Sequence, residues 1–133
     1  METITLNALL DTHALVWALI EPERLAPDAT ALIEASQPED IAISDMTLLE
    51  VALLAQKGRL NLNETTESLL SEMAQLCRVL PINASIAAGV TKLALPQSDP
   101  FDRTIVATAQ YHQLPLITKD RHISESGCVK TIW

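Results

Sequence analysis

Short apolar runs alternate along this chain with longer stretches in which apolar positions return at helical spacing. ITLNALL, Ile4 to Leu10, alternates and then becomes continuously apolar, predicting a first strand that leads into a helix from Thr12 to Ile20. After the EPERLAP turn, a second helix is expected over Asp28 to Ser36, and IAIS, Ile41 to Ser44, over a strand. Ser44 is placed to cap a third helix that Gly58 stops. Then follow a helix from Glu64 to Leu76, a strand from Arg78 to Ile82 and a helix from Ala84 to Leu95. DPFDRTIVATAQYH supplies another helix, and LPLIT (Leu114 to Thr118) and CVKTI (Cys128 to Ile132) read as strands. Short apolar strands separated by helices predict an α/β fold, a mostly parallel sheet covered on both faces. Without repeat or linker, the whole of 1–133 reads as one domain.

The third helix breaks its own pattern. In SDMTLLEVALLAQKG the residues Leu48, Leu49, Val51, Ala52, Leu53, Leu54 and Ala55 are apolar almost all round, which predicts a helix mostly inside the protein. Glu50 lies among them. An unpaired carboxylate there would cost several kcal/mol or take up a proton, so it requires a partner. Lys57 is two turns away, too far for an intrahelical pair. Either an Arg from elsewhere pairs with Glu50, or Glu50 faces a polar pocket shared with other groups.

In parallel sheets the working site lies beyond the carboxyl ends of the strands. Asp11 follows the first expected strand, and Asp120 follows LITK at the end of a later one. Each has an ordinary explanation, Asp11 as a helix cap and Asp120 as a turn residue. Asp99 is placed to cap a helix whose first position is Pro100, and Asp102 falls in its first turn, on the face of Ile105, Val106 and Ala109. If Asp11, Glu50, Asp102 and Asp120 share one pocket, they cannot all stay ionised without compensation. A divalent cation supplies it, and oxygen ligands alone suit Mg²⁺ or Mn²⁺ rather than zinc. His13, His112 and His122 lack metal-ligand spacing and read as surface or satisfied residues.

Composition narrows the choice. Hydrophobic residues make up 48% of the 133, which fits a well-buried protein and excludes a disordered one. The net charge of −8, from 17 acids against 9 Lys and Arg, argues against a protein drawn to nucleic acid by a basic surface, though not against one that meets phosphate through cations. With three glycines, at 58, 89 and 127, no phosphate-cradling loop exists, so no nucleotide cofactor is expected. No apolar run approaches the roughly 20 residues of a membrane span, and METITLNALLD lacks the basic start of a secretory signal; a cytoplasmic protein is expected. Cys77 and Cys128 read as buried free thiols.

LLDTHALVW, SDMTLLEVALLAQKGRL, DPFDRTIVATAQ and LITKD, in this order and closing on VKTIW, together resemble the PIN domain of VapC-type toxins of bacterial toxin–antitoxin pairs, over essentially the whole chain. The resemblance implies a PIN-like three-layer α/β/α fold and a Mg²⁺- or Mn²⁺-dependent ribonuclease with four acids at one sheet edge: Asp11, Glu50, Asp102 and Asp120. It makes Asp99 an auxiliary acid or cap, and Thr12 and Thr118 the hydroxyls beside the first and fourth acids. The chemistry it implies is hydrolysis of an RNA phosphodiester by carboxylate-bound ions. Arg103, Lys119 and Arg121 flank proposed ligands and are candidates for weak RNA contact. It also implies an antitoxin that places a basic side chain among the acids, and a homodimer, for which the Leu69, Leu70, Met73, Leu76 face is one candidate and core packing the other explanation of those residues.

Three rivals remain open on the sequence. A Mg²⁺-dependent phosphatase of the haloacid dehalogenase type would want Asp-x-Asp after the first strand, where His13 stands instead of the second acid. A phospho-acceptor receiver domain has a lysine to match in Lys119, but not the order of its other elements. A non-catalytic module in which Glu50 pairs with a buried Arg is the third.

Overall fold

A computed structural model describes residues 5–60, 63–95 and 99–133. Strand β1 (Ala8–Leu10) leads to α1 (Thr12–Ile20), a 3-10 turn over Pro22–Arg24 and α2 (Pro27–Glu34). A second 3-10 turn, Pro38–Asp40, precedes β2 (Ile41–Ser44), α3 (Asp45–Gln56) and α4 (Thr66–Leu76). Then come β3 (Arg78–Leu80), α5 (Ala84–Val90), α6 (Pro100–His112), β4 (Leu116–Ile117), α7 (Arg121–Ser126) and β5 (Thr131–Ile132). Among the described residues the strands form one sheet in the order β3-β2-β1-β4-β5, every neighbouring pair parallel.

The central strands β1 and β4 are wholly apolar, and β2 is apolar up to Ser44, because each side of the sheet is covered. Ala8, Leu10, Ile41, Ile43 and Ile117 pack with Ala14, Leu15, Val51, Leu69 and Met73, from α1, α3 and α4. The alternate residues Leu9, Ala42 and Leu116 pack with Ile105, Val106 and Ala109 of α6 and Ile123 of α7. Period-two alternation thus divides two helical layers, the three-layer α/β/α arrangement.

Four local expectations are corrected. The first strand begins at Ala8; Ile4 lies outside the described residues, and 5–7 are not strand. The helix expected to reach Leu95 ends at Val90, and the chain beyond it is held instead by Arg103, whose guanidinium donates to the carbonyls of Val90 (2.8 Å), Leu93 (3.3 Å) and Leu95. Helix α7 was not expected; Asp120 caps it and Gly127, at φ +72°, ends it after six residues. Helix α3 is less enclosed than its composition suggests, with only Thr47 and Val51 buried and Leu49 50% exposed.

On the α4 face Leu69 and Met73 are buried and Leu70 packs on them, so most of it is core, whereas Leu76 at its end is 38% exposed. Both cysteines are free; Cys77 is buried, its thiol pushed up to about 11 by burial, and Cys128 is half-buried.

Candidate functional site

Two strand ends, of β1 and β4, and three helix starts, of α1, α6 and α7, meet at the carboxyl edge of the sheet. Asp11 follows β1 and caps α1, its Oδ1 accepting from the Ala14 N–H at 2.8 Å, while its own N–H donates to the Ile117 carbonyl at 3.1 Å. Asp120 follows β4 and caps α7, Oδ1 accepting from the N–H groups of His122 (2.8 Å) and Ile123 (3.2 Å). Asp99 caps α6, accepting from the Asp102 N–H at 2.8 Å. The capping explanation of these acids is therefore correct, and it does not exhaust their role. A cap uses one carboxylate oxygen, and positive helix ends favour negative charge nearby.

Those acids line one hollow of about 520 Å³, which also takes in Glu50 from α3 and Asp102 from the first turn of α6. The structure thus brings together all four acids singled out in the sequence, with Asp99 beside them. Burial raises the pKa of Asp11, outweighing hydrogen bonds from Thr118 and Ala14. It raises Glu50 as well, against a hydrogen bond from Thr12 and with Asp99 and Asp11 adding repulsion. Asp102 is pushed up to about 7, first by burial and then by Asp99, Glu50, Asp120 and Asp11. Glu50 Oε1 is buried with no hydrogen-bond partner. The alternative of a buried Arg on Glu50 has no support among the described contacts: Arg103, the arginine nearest in sequence to the acids of α6, faces the carbonyls after α5.

Two buried threonines hold the carboxylates from behind. Thr118 is buried, bonds to Asp11, and its Oγ1 accepts from the Asp120 N–H at 3.0 Å, so one hydroxyl joins the first and fourth acids. Thr12 bonds to Glu50 and lies 3.2 Å from the hydroxyl of Thr47, itself fully buried on α3. Thr47 escaped the sequence reading, although it stands one helical turn before Glu50, a spacing that puts both on one face.

The basic residues separate into two kinds. Lys119 and Arg121 line the hollow, as do His13, read from the sequence as a surface or satisfied residue, and Trp17, which was not singled out. Arg103 is not among the lining residues, and its guanidinium is engaged by the backbone carbonyls of Val90, Leu93 and Leu95, which gives it a structural role.

The donor set fits a hard divalent cation. It is all oxygen, desolvated, mutually repelling and includes an orphaned buried carboxylate oxygen. Among the described residues, no three His, Cys, Asp or Glu side chains are already gathered tightly enough to hold an ion, so the acids line the hollow without closing on one point.

The family model for the PIN domain matches residues 8–127. Ribonuclease VapC22 of Mycobacterium tuberculosis is 39% identical over 120 residues, which are 88% of this chain and 89% of that protein. A toxin–antitoxin complex from Klebsiella pneumoniae contains a chain 26% identical, with a TM-score of 0.67, covering 96% of this chain and 97% of its own. DNA-bound VapBC from Salmonella typhimurium shares the fold at a TM-score of 0.75 and 15% identity, covering 96% of this chain and 98% of its own.

Proposed function

This chain belongs to the PIN-domain family, and from that premise we propose that it is a metal-dependent endoribonuclease, the toxin of a type II toxin–antitoxin pair. The observation that carries the reading is the meeting of Asp11, Glu50, Asp102 and Asp120, from four separate parts of the chain, in one hollow at the carboxyl edge of a parallel sheet. One unit over 1–133 carries the activity, and its substrate is RNA. Those four carboxylates would hold a Mg²⁺ or Mn²⁺ ion. Such a cation would relieve the crowding of charge, lower the pKa of a water and stabilise charge on the scissile phosphate.

The chain's own residues do the rest. Asp11 and Asp120 are fixed by helix-start amides and joined through Thr118, so their free oxygens keep one direction. Glu50 enters from α3 and is steadied by Thr12. Asp102, pushed up to about 7 by burial and by the carboxylates around it, is the acid whose charge the crowding most disfavours. Lys119 and Arg121, exposed on the rim, add positive charge where a phosphodiester would approach.

The partner in this reading is an antitoxin protein that covers the hollow and places an Arg or Lys among the acids. The toxin also pairs with a second copy of itself and works in the cytoplasm; no described helix is long and apolar enough to cross a membrane. The phosphatase reading loses its support because the residue two after Asp11 is His13, an exposed residue on the rim.

The test is cleavage of structured RNA in Mg²⁺ or Mn²⁺, beside Asp11→Asn and Glu50→Gln. Loss of cleavage in both variants and in EDTA supports the assignment. Equal cleavage by native protein and both variants removes it, and release of phosphate from small esters with RNA intact restores the phosphatase.

A further inference from the structure

A second hollow, of about 360 Å³, adjoins the acidic one and shares His13 and Trp17 with it. Its charge is of the opposite kind. Arg24 and Arg59 line it against a single acid, Glu21, which pairs with Arg24 at 3.5 Å. Four of the nine Lys and Arg residues of this acidic chain, Arg24, Arg59, Lys119 and Arg121, therefore border the two adjoining hollows. Trp17 is the wall between them. Its ring is held edge-on by Trp133 at 5.7 Å, the Arg24 guanidinium lies over it at 4.3 Å from the centroid, and the Lys119 ammonium stands at 5.7 Å. An aromatic ring carrying a stacked guanidinium, with further cations alongside, is the combination that holds single-stranded nucleic acid: the planes take a base and the charges take the backbone. The volume lies within the range of small-ligand sites.

We propose that this second hollow is a nucleotide subsite of the same enzyme. It takes the residue of a single-stranded RNA next to the scissile phosphodiester, with the phosphate between Arg24 and Arg59 and the base against the Trp17–Arg24 stack. The inference rests on the ribonuclease reading for its ligand, and on the shared wall for its placement. It also gives a strongly acidic protein a route to RNA: the attraction comes from a cationic hollow beside the carboxylates, not from the carboxylate hollow itself.

The experiment is fluorescence anisotropy with a fluorescein-labelled, cleavage-resistant 2′-O-methyl phosphorothioate decamer, titrated with the full chain in Mg²⁺. Arg24→Ala and Arg59→Ala should each weaken binding about fivefold and the pair at least about tenfold. Removing two phosphate contacts should flatten the salt dependence by about 1.4 in the slope of log K against log salt, and Arg59→Lys should keep most of it. In a Trp133→Phe background, Trp17 is the sole tryptophan, and its emission should change as the decamer binds. Native-like RNA affinity and salt slope in the double variant overturn the subsite, as does a native chain that leaves the decamer unbound. A double variant that keeps RNA but loses the antitoxin also overturns it, and makes the hollow a protein-docking groove. Because binding is read without turnover, a native chain that holds the decamer through these arginines but never cleaves RNA would sink the nuclease reading and leave the subsite standing.

Discussion

The hydroxyls of Thr12 and Thr47 meet at 3.2 Å, both buried, one at the start of α1 and the other on α3 one turn before Glu50. Thr12 also lies against the Glu50 carboxyl and favours its charged form, so Thr47, Thr12 and Glu50 form a line of polar groups through otherwise apolar packing. A buried hydroxyl is costly unless bonded, and here its bond leads to the acid that has no other support. Thr47 is thus a positioning residue for Glu50, acting through Thr12.

Thr47→Val keeps the shape of the side chain and removes the hydroxyl. It should lower kcat about five- to tenfold, the worth of one buried hydrogen bond, while leaving KM for RNA unchanged. Thr47→Ser should recover most of the loss. Single-turnover cleavage of the three proteins checks this; equal rates for native and Val would show that Thr47 only fills space.

Glu50 is a site where function opposes stability. Its Oε1 is buried without a partner and its neighbours Asp99 and Asp11 repel it, so the metal-free fold carries an unfavourable charge. Glu50→Gln keeps the shape and removes the charge. In EDTA the variant should melt higher than the native chain, by a margin on the order of 1 kcal/mol, while RNA cleavage falls about a hundredfold or more. Added Mg²⁺ should stabilise the native chain and leave the variant nearly unmoved. A variant that melts lower in EDTA would show that Glu50 has a compensating partner.

Much of this arrangement was legible in the residues, and the failures have causes. The alternation of apolar strands with helices predicted the parallel sheet, because continuous apolar strands are stable only when covered on both sides. Glu50 was legible as an anomaly for the same reason: a charge among leucines demands an explanation from outside its own helix. Strand lengths were not legible, since β1 is limited by partners as short as the two residues of β4. The place of Arg103 was not legible, because neighbourhood in sequence to a carboxylate does not fix where a long side chain turns. Its fork closes on Val90, Leu93 and Leu95 carbonyls, which only the folded path of that loop brings near. Trp17 and His13 were invisible as site residues because a helix pattern tells which face is apolar, and not what the half-exposed edge of that face looks upon.

Arg103 gives a prediction that separates structure from RNA contact. Its charge-assisted bonds to the carbonyls after α5 hold the approach to α6, on which Asp99 and Asp102 stand. Arg103→Met should destabilise the fold by about 2–3 kcal/mol, visible as a lower urea midpoint with the same slope. Arg103→Lys, a point charge without the planar fork, should recover only part of it. Under conditions where the variant stays folded, the salt dependence of RNA binding should match the native chain; a flatter slope would return Arg103 to the RNA-contact group.

The pH dependence follows from Asp102. Its folded-state pKa of about 7 lies above the ordinary 3.8, because burial and four neighbouring carboxylates disfavour its charge. Between those values the metal-free fold binds more protons than the unfolded chain, so its stability falls as pH rises from about 4 to about 7 and levels off above. Asp11 and Glu50 are raised too, and push the same way. Metal binding must displace the proton, so below pH about 7 the apparent Mn²⁺ affinity should fall about tenfold per pH unit. Melting curves across this range, with and without Mn²⁺, test both statements. In EDTA the midpoint should drop toward neutrality, whereas saturating Mn²⁺ should remove the drop, because the cation rewards the ionised form that the bare hollow penalises. Asp102→Asn should flatten both profiles. If metal-free stability rose through this window instead, Asp102 would be ionised in the fold, and the crowding that calls for a cation would be absent.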